Sequence, residues 1–175
     1  MKSHELFQRM SPETATEILT YLQREQKPVY KAAIQGLANQ RNLRPVFVER
    51  KLPSERHAWM KAALSRALSD ALATHLVQAW LLAAHKPMLC DFLDSLGIAH
   101  DEDGTVEVIP PAPAKEKIAA AVSQLLGKYP AEAVAIYLHA FQQMDREVNW
   151  QPLDEVLSEN PQLQFAPPAV SFPAS

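Results

Sequence analysis

The chain has 175 residues, of which 47% are hydrophobic and 21% charged, with a formal net charge of -3 at pH 7. This length and composition give one domain with a real hydrophobic core, which excludes wholesale disorder. One cysteine excludes an intramolecular disulfide and any cysteine-based zinc site.

Several of the 14 prolines fall where helices are predicted to begin, because proline is tolerated in the first turn of a helix. Ser11 is predicted as an N-cap and Pro12 as the first residue of a helix with apolar residues at helical spacing. The other predicted helix starts are Pro28, Pro53, Pro87 and Pro130. Residues 41–52, around Pro45, are predicted to form an irregular link or one short turn.

Residues 71–84 are apolar nearly all round, which is typical of a helix that other helices surround. Apolar residues recur there at every fourth position, and this row winds around the helix because four residues exceed one turn. We therefore expect the element at 54–85 to be long or kinked near Ser69 and Asp70. His75 lies in this stretch and is predicted to be a buried, neutral imidazole.

Short runs containing valine flank Asp103 and Gly104, and this pattern predicts a small β-hairpin-like insertion over about 98–109. Two further helices are predicted at about 114–127 and 130–146. The sequence thus predicts an all-α, single-domain helical bundle of six or seven helices around the apolar helix at about 71–84. Residues 1–149 form this predicted bundle domain.

Residues 150–175 are predicted to form a proline-rich, apolar C-terminal arm. The arm contains Trp150, Phe165 and Phe172, and disordered tails are usually poorer in large apolar groups. We expect the arm to lie extended along its own domain or along a neighbouring subunit, where it would form a homodimer. A frayed tail is the alternative.

His85 and His100 flank a helix that carries Asp91 and Asp94. A carboxylate–histidine metal site or an acid–base pair at these four residues is one hypothesis, and a surface ion pair is the other. No two histidines have the spacing of a local zinc signature, and no nucleophile motif is present, so no cofactor and no catalytic residue are predicted.

Basic residues are concentrated between positions 41 and 66, where Glu49 and Glu55 are the acids. They are Arg41, Arg44, Arg50, Lys51, Arg56, Lys61 and Arg66. Together with Phe47 and Trp59 they suggest nucleic-acid binding, through phosphate contacts and base stacking. The alternative is a solvated face, or one that docks on the six acids between Asp91 and Glu107.

The leading functional hypothesis is a non-catalytic protein-interaction or regulatory module, because local catalytic signatures are missing. Its partner is another protein or a second copy of this chain, and nucleic acid is not the expected partner at this net charge. The predicted interaction residues are Arg41, Arg44, Arg50, Arg56, Trp150, Phe165 and Phe172. The longest uncharged stretch is too short and too polar to span a bilayer, so we expect a cytoplasmic protein without a membrane partner.

Overall fold

The computed structural model describes residues 1–143 and 149–165, and within them the chain forms ten α-helices and no β-strand. The fold is all-α, as predicted, although the expected number of six or seven helices was wrong. The helices are α1 (Ser3–Arg9), α2 (Pro12–Glu25), α3 (Lys27–Gln40), α4 (Pro45–Glu49), α5 (Pro53–Leu64), α6 (Asp70–Ala84), α7 (Lys86–Leu96), α8 (Lys115–Leu126), α9 (Ala131–Phe141) and α10 (Gln151–Glu159). Short 3-10 helical turns lie at Ala67–Ser69 and Pro161–Leu163.

The helices that were not predicted lie where the periodicity of apolar residues gives little indication of a helix. Helices α1 and α4 have only 7 and 5 residues, which is about two turns or fewer. The predicted element at 54–85 is split, because α5 ends at Leu64 and α6 begins at Asp70. Asp70 accepts hydrogen bonds from the backbone N–H and the ring Nδ1 of His4, at 3.0 and 2.8 Å. The start of α6 is thereby tied to α1.

Helix α6 occupies the centre of the bundle, as predicted, and contacts α1, α2, α3, α7 and α9. Its buried residues are Ala73, Leu76, Val77, Trp80 and Leu81. One strip of the helix, at Ala71, His75 and Gln78, remains exposed. The predicted burial of His75 was therefore wrong, because none of the helices in residues 1–143 and 149–165 covers the strip on which these residues lie.

Helices α2 and α9 meet at their N-termini through a carboxylate. Ser11 caps α2, as predicted, and its hydroxyl accepts the Thr14 N–H at 3.1 Å. Glu132, in the first turn of α9, accepts hydrogen bonds from the Ser11 N–H at 2.6 Å and the Ser11 hydroxyl at 2.8 Å. It also accepts one from the Thr14 hydroxyl. The sequence analysis missed this contact, which joins residues 121 positions apart.

Replacing Glu132 with glutamine is expected to lower the free energy of unfolding by about 1–2 kcal/mol, because an amide offers one acceptor oxygen where the carboxylate offers two. Urea denaturation of the full chain measures this change. Glu116→Gln is the matched control, since Glu116 holds the same position in α8, is exposed, and accepts no bond in the described part of the chain. Equal losses in the two variants would show that Glu132 acts only through the helix dipole.

The predicted β-hairpin insertion at 98–109 was wrong. The Asp101 N–H donates to the Thr105 carbonyl at 2.9 Å, and the Gly104 N–H donates to the Asp101 carbonyl at 3.0 Å. The Asp103 carboxylate accepts the N–H and the hydroxyl of Thr105, at 3.0 and 2.7 Å. These bonds close a turn over residues 101–105. The Asp103 side chain accepts hydrogen bonds within the turn, so no ladder of backbone bonds between two strands forms there.

Residues 150–165 pack against the bundle of the same chain. The Trp150 side chain is 1% exposed, its Nε1–H donates to the Pro110 carbonyl at 2.9 Å, and its ring lies 4.9 Å from that of Phe141. Helix α10 contacts α8, and the turn at Pro161–Leu163 contacts α9. Trp150 was predicted as an interaction residue, and in this structure the core of its own chain encloses its ring.

Phe165 is half-buried against the core, 5.8 Å from the ring of His139. Phe172 lies outside the described residues. The domain boundary at residue 149 stays a prediction, although Trp150 and Leu163 belong to the same hydrophobic core as the earlier helices. No helix in the described ranges is long and apolar enough to cross a bilayer.

Candidate interaction face

Residues 41–52, here called the α4 corner, expose several large apolar side chains. The exposed fractions are 57% for Phe47, 65% for Leu52, 40% for Leu43 and 39% for Val46. Val48 is fully buried and anchors α4 against α3, which turns the neighbouring side chains outward. Elsewhere in the described part of the chain, the large apolar residues with this exposure are Leu68 and Val108. Clusters of exposed apolar groups are more frequent at binding surfaces than elsewhere on a protein.

The sequence pattern at residues 46–48 indicated part of this exposed apolar surface. It showed a short apolar run after Pro45. A short link was expected there, but the exposure of its apolar side chains was not predicted. The link is in fact helix α4, which begins at Pro45. The outward face of so short a helix cannot be identified from the sequence. It follows only once Val48 is known to be the buried residue that anchors the helix.

Basic side chains surround these apolar groups. Arg44 and Arg50 are exposed, and the guanidinium of Arg41 lies 5.2 Å from the ring centroid of Trp59. In the described residues, no basic residue between positions 41 and 66 forms an ion pair. Of the two alternatives for this segment, docking on the acids at 91–107 is not observed in the part of the chain that the structure describes, where Asp94 pairs with His100 and Asp91 with Lys128.

Arg56 supports the α4 corner from within. Its Nη2 donates to the backbone carbonyls of Glu49, the last residue of α4, and of Lys51, at 2.6 and 2.9 Å. Hydrogen bonds from a charged donor are stronger than neutral ones, and carbonyls at a helix end lack partners within the helix. Arg56 was predicted as an interaction residue, and in this structure its Nη2 makes these internal bonds.

A buried polar pair lies under the corner. The Nε2 of His57 is 3.1 Å from the hydroxyl of Tyr30. Burial lowers the pKa of His57 below its usual value, and the charge of Arg56 lowers it further. Burial also raises the pKa of Tyr30. Both groups are therefore neutral at pH 7, and the positive charge of this region comes from its arginines and lysines.

The His100 side chain forms the surface ion pair that was the alternative to a metal site. Its Nε2 lies 3.1 Å from Oδ1 of Asp94, and its Nδ1 lies 2.7 Å from the backbone oxygen of Asp101. The bond to the Asp101 backbone and the bond to Asp94 raise the pKa of His100. Both ring nitrogens are thus engaged within this segment.

The other two metal-site candidates lie in separate surroundings. Asp91 accepts hydrogen bonds from Lys128 and Tyr129, and these bonds lower its pKa. His85 lies at the junction of α6 and α7, with its ring 4.3 Å from that of Trp80. Across the described ranges, no three histidine, cysteine or acidic side chains form a group that could hold a metal ion. The metal site that was one hypothesis for His85, Asp91, Asp94 and His100 is therefore not formed.

The composition of the α4 corner differs from that of a reaction centre. Its surface carries arginines with aliphatic and aromatic side chains, and Glu49 is its one acid. A reaction centre usually combines a nucleophile, a base and an orienting group, which residues 41–52 do not supply. Comparison with protein-family models, with curated proteins and with solved structures found no match for this chain.

Proposed function

We propose that this chain is a non-catalytic protein-interaction module whose α4 corner binds an acidic, amphipathic segment of a partner protein. The observation that carries the proposal is the exposure of Phe47 and Leu52 among arginines that have no carboxylate partner in the described residues. A partner with carboxylates around apolar side chains would match both properties. Apolar burial supplies most of the affinity in such contacts, and complementary charge supplies specificity and a fast association rate.

Aliphatic side chains favour a protein partner over nucleic acid. Within the α4 corner, Leu43, Val46 and Leu52 offer no flat face on which a base could stack, and Phe47 is its one aromatic side chain. Glu49 also places a negative charge among the basic residues, and the whole chain has a net charge of -3. Nucleic-acid binding through residues 41–66 therefore serves as a competing outcome of the test.

The test uses the full chain, labelled with 15N, and two synthetic helical peptides. One peptide is built from leucine and glutamate, and the other has lysine in place of each glutamate. The leucine–glutamate peptide is expected to bind and to shift the amide resonances of residues 41–52. Phe47→Ser, and separately the pair Arg44→Glu and Arg50→Glu, are expected to weaken its binding about tenfold or more.

Matched control variants carry the same changes away from the α4 corner. Leu68→Ser alters another exposed leucine, and Arg24→Glu reverses an exposed charge on α2. Both should leave binding of the acidic peptide unchanged. If that peptide does not bind, or binds the corner variants as well as the unaltered chain, the proposal is wrong. Preferential binding of a single-stranded oligonucleotide would assign the corner to nucleic acid, and a doubled mass in light scattering would assign it to a second copy.

A further inference from the structure

A cavity of about 210 Å³ lies between α6, α7, α9 and the turn at residues 101–105. Its walls are mostly aliphatic and aromatic, and they include Leu81, Leu89, Val106 and Phe141. Engineered apolar cavities of about 150 Å³ already admit benzene, so this cavity has room for a slightly larger molecule. It shares no lining residue with the α4 corner.

The 101–105 turn forms one wall of the cavity and lies very close to α7. Gly104 has a positive φ of 81°, and a Cβ placed on it would stand 2.6 Å from the Cβ of Leu89. Only a residue without a side chain permits this approach. Thr105 and Val106, which follow directly, line the cavity from the same side. The wall is thus positioned by backbone geometry.

Tyr137 brings a polar group to this apolar space. Its side chain is 3% exposed and lines the cavity, and its ring makes an edge contact with Phe92 at 5.6 Å between centroids. No hydrogen bond from a described residue reaches its hydroxyl. Burial, followed by the nearby Cys90 thiol, raises the pKa of Tyr137 far above its usual value, so the hydroxyl keeps its proton.

A hydroxyl that borders an apolar cavity finds few hydrogen-bond partners there, and a bond left unmade costs free energy. A bound molecule that accepts a hydrogen bond from Tyr137 would restore that bond. Its remaining atoms would be covered by leucine, valine and phenylalanine side chains. This combination of a mainly apolar lining with a few polar residues, here Tyr137, Thr105 and Gln78, is characteristic of small-molecule sites.

We infer that the cavity binds a small, mainly apolar molecule of the size of a substituted phenol, with its hydrogen-bonding group on the Tyr137 hydroxyl. The inference is independent of the proposed interaction function, since the two sites share no residue. Shape and apolar contact hold the body of the ligand. Tyr137 selects ligands that carry one acceptor at the correct end.

The test compares p-cresol with toluene, which has nearly the same shape and lacks the hydroxyl group. Each is titrated into the 15N-labelled full chain, and the resonances of residues around the cavity and the melting temperature are followed. The unaltered chain is expected to bind p-cresol about fivefold or more tightly than toluene. Tyr137→Phe should remove this preference and leave toluene binding unchanged. Ala140→Leu, which fills the cavity, should weaken binding of both compounds.

Tyr129→Phe is the control, because it removes a tyrosine hydroxyl that contacts Asp91 outside the cavity. The preference for p-cresol should survive this change. Two results would overturn the inference. In the first, neither compound shifts the resonances of the lining residues, and the cavity is then a packing void only. In the second, Tyr137→Phe keeps the preference for p-cresol. If Ala140→Leu disturbs folding, the comparison of the two Tyr→Phe variants decides the matter.

Discussion

Replacing Trp150 with alanine is expected to lower the free energy of unfolding by about 3–5 kcal/mol, because it leaves a large cavity in the core. The indole is 1% exposed and packs on Phe141, and its Nε1–H bond to the Pro110 carbonyl is lost as well. Chemical denaturation of the full chain, followed by circular dichroism, measures the change. Truncation after residue 149 should destabilise the chain at least as strongly.

Trp59→Ala is the matched control for this substitution. Trp59 is half-buried, and its ring contacts the guanidinium of Arg41 at the surface. Its loss is expected to cost clearly less, about 1–2 kcal/mol. If Trp150→Ala instead keeps the stability of the unaltered chain and changes only its assembly state, Trp150 is an interaction residue and its place in the core is refuted.

The second large effect is expected at Gly104, where alanine should lower the free energy of unfolding by about 2–4 kcal/mol. An alanine there must adopt a φ of 81°, and its Cβ must displace Leu89 from a distance of 2.6 Å. The backbone strain and the steric overlap both oppose folding. The same denaturation experiment measures their sum.

Gly97 separates the two contributions to this loss. It ends α7 with a φ of 70°, but the nearest atom to an added Cβ is the Lys117 Nζ at 3.8 Å. Gly97→Ala therefore carries the strain without the overlap and should cost only about 1–2 kcal/mol. Similar losses for the two alanine variants would contradict the close approach of the 101–105 turn to α7.

Local signals in the sequence were sufficient for much of the bundle. Pro12 and Pro53 begin helices as predicted, and Pro28 lies in the first turn of α3, because proline and capping residues act within one turn of chain. The apolar run at 71–84 likewise predicted the central helix. Gly97 follows the last residue of α7 in the left-handed conformation, which favours glycine.

Contacts between distant segments could not be predicted in the same way. The bond of Glu132 to Ser11 depends on how α2 and α9 meet, and no spacing in the sequence reports it. Around Asp103 and Gly104 the local signal fits both a hairpin and a closed turn, and packing against Leu89 favours the turn. In the same way, burial of Val48 determines which side chains of the α4 corner face outward.

The carboxylate of Glu132 has a consequence for the order in which the chain folds. The hydrogen-bond donors at the N-terminus of α2 bond to the Glu132 carboxylate, 121 positions later in the sequence. This contact therefore cannot form until α9 has been synthesised. A bundle built only from neighbouring helix pairs could fold as each pair leaves the ribosome. Here the closing of a long loop separates early helix formation from final packing, and loops of this length slow folding.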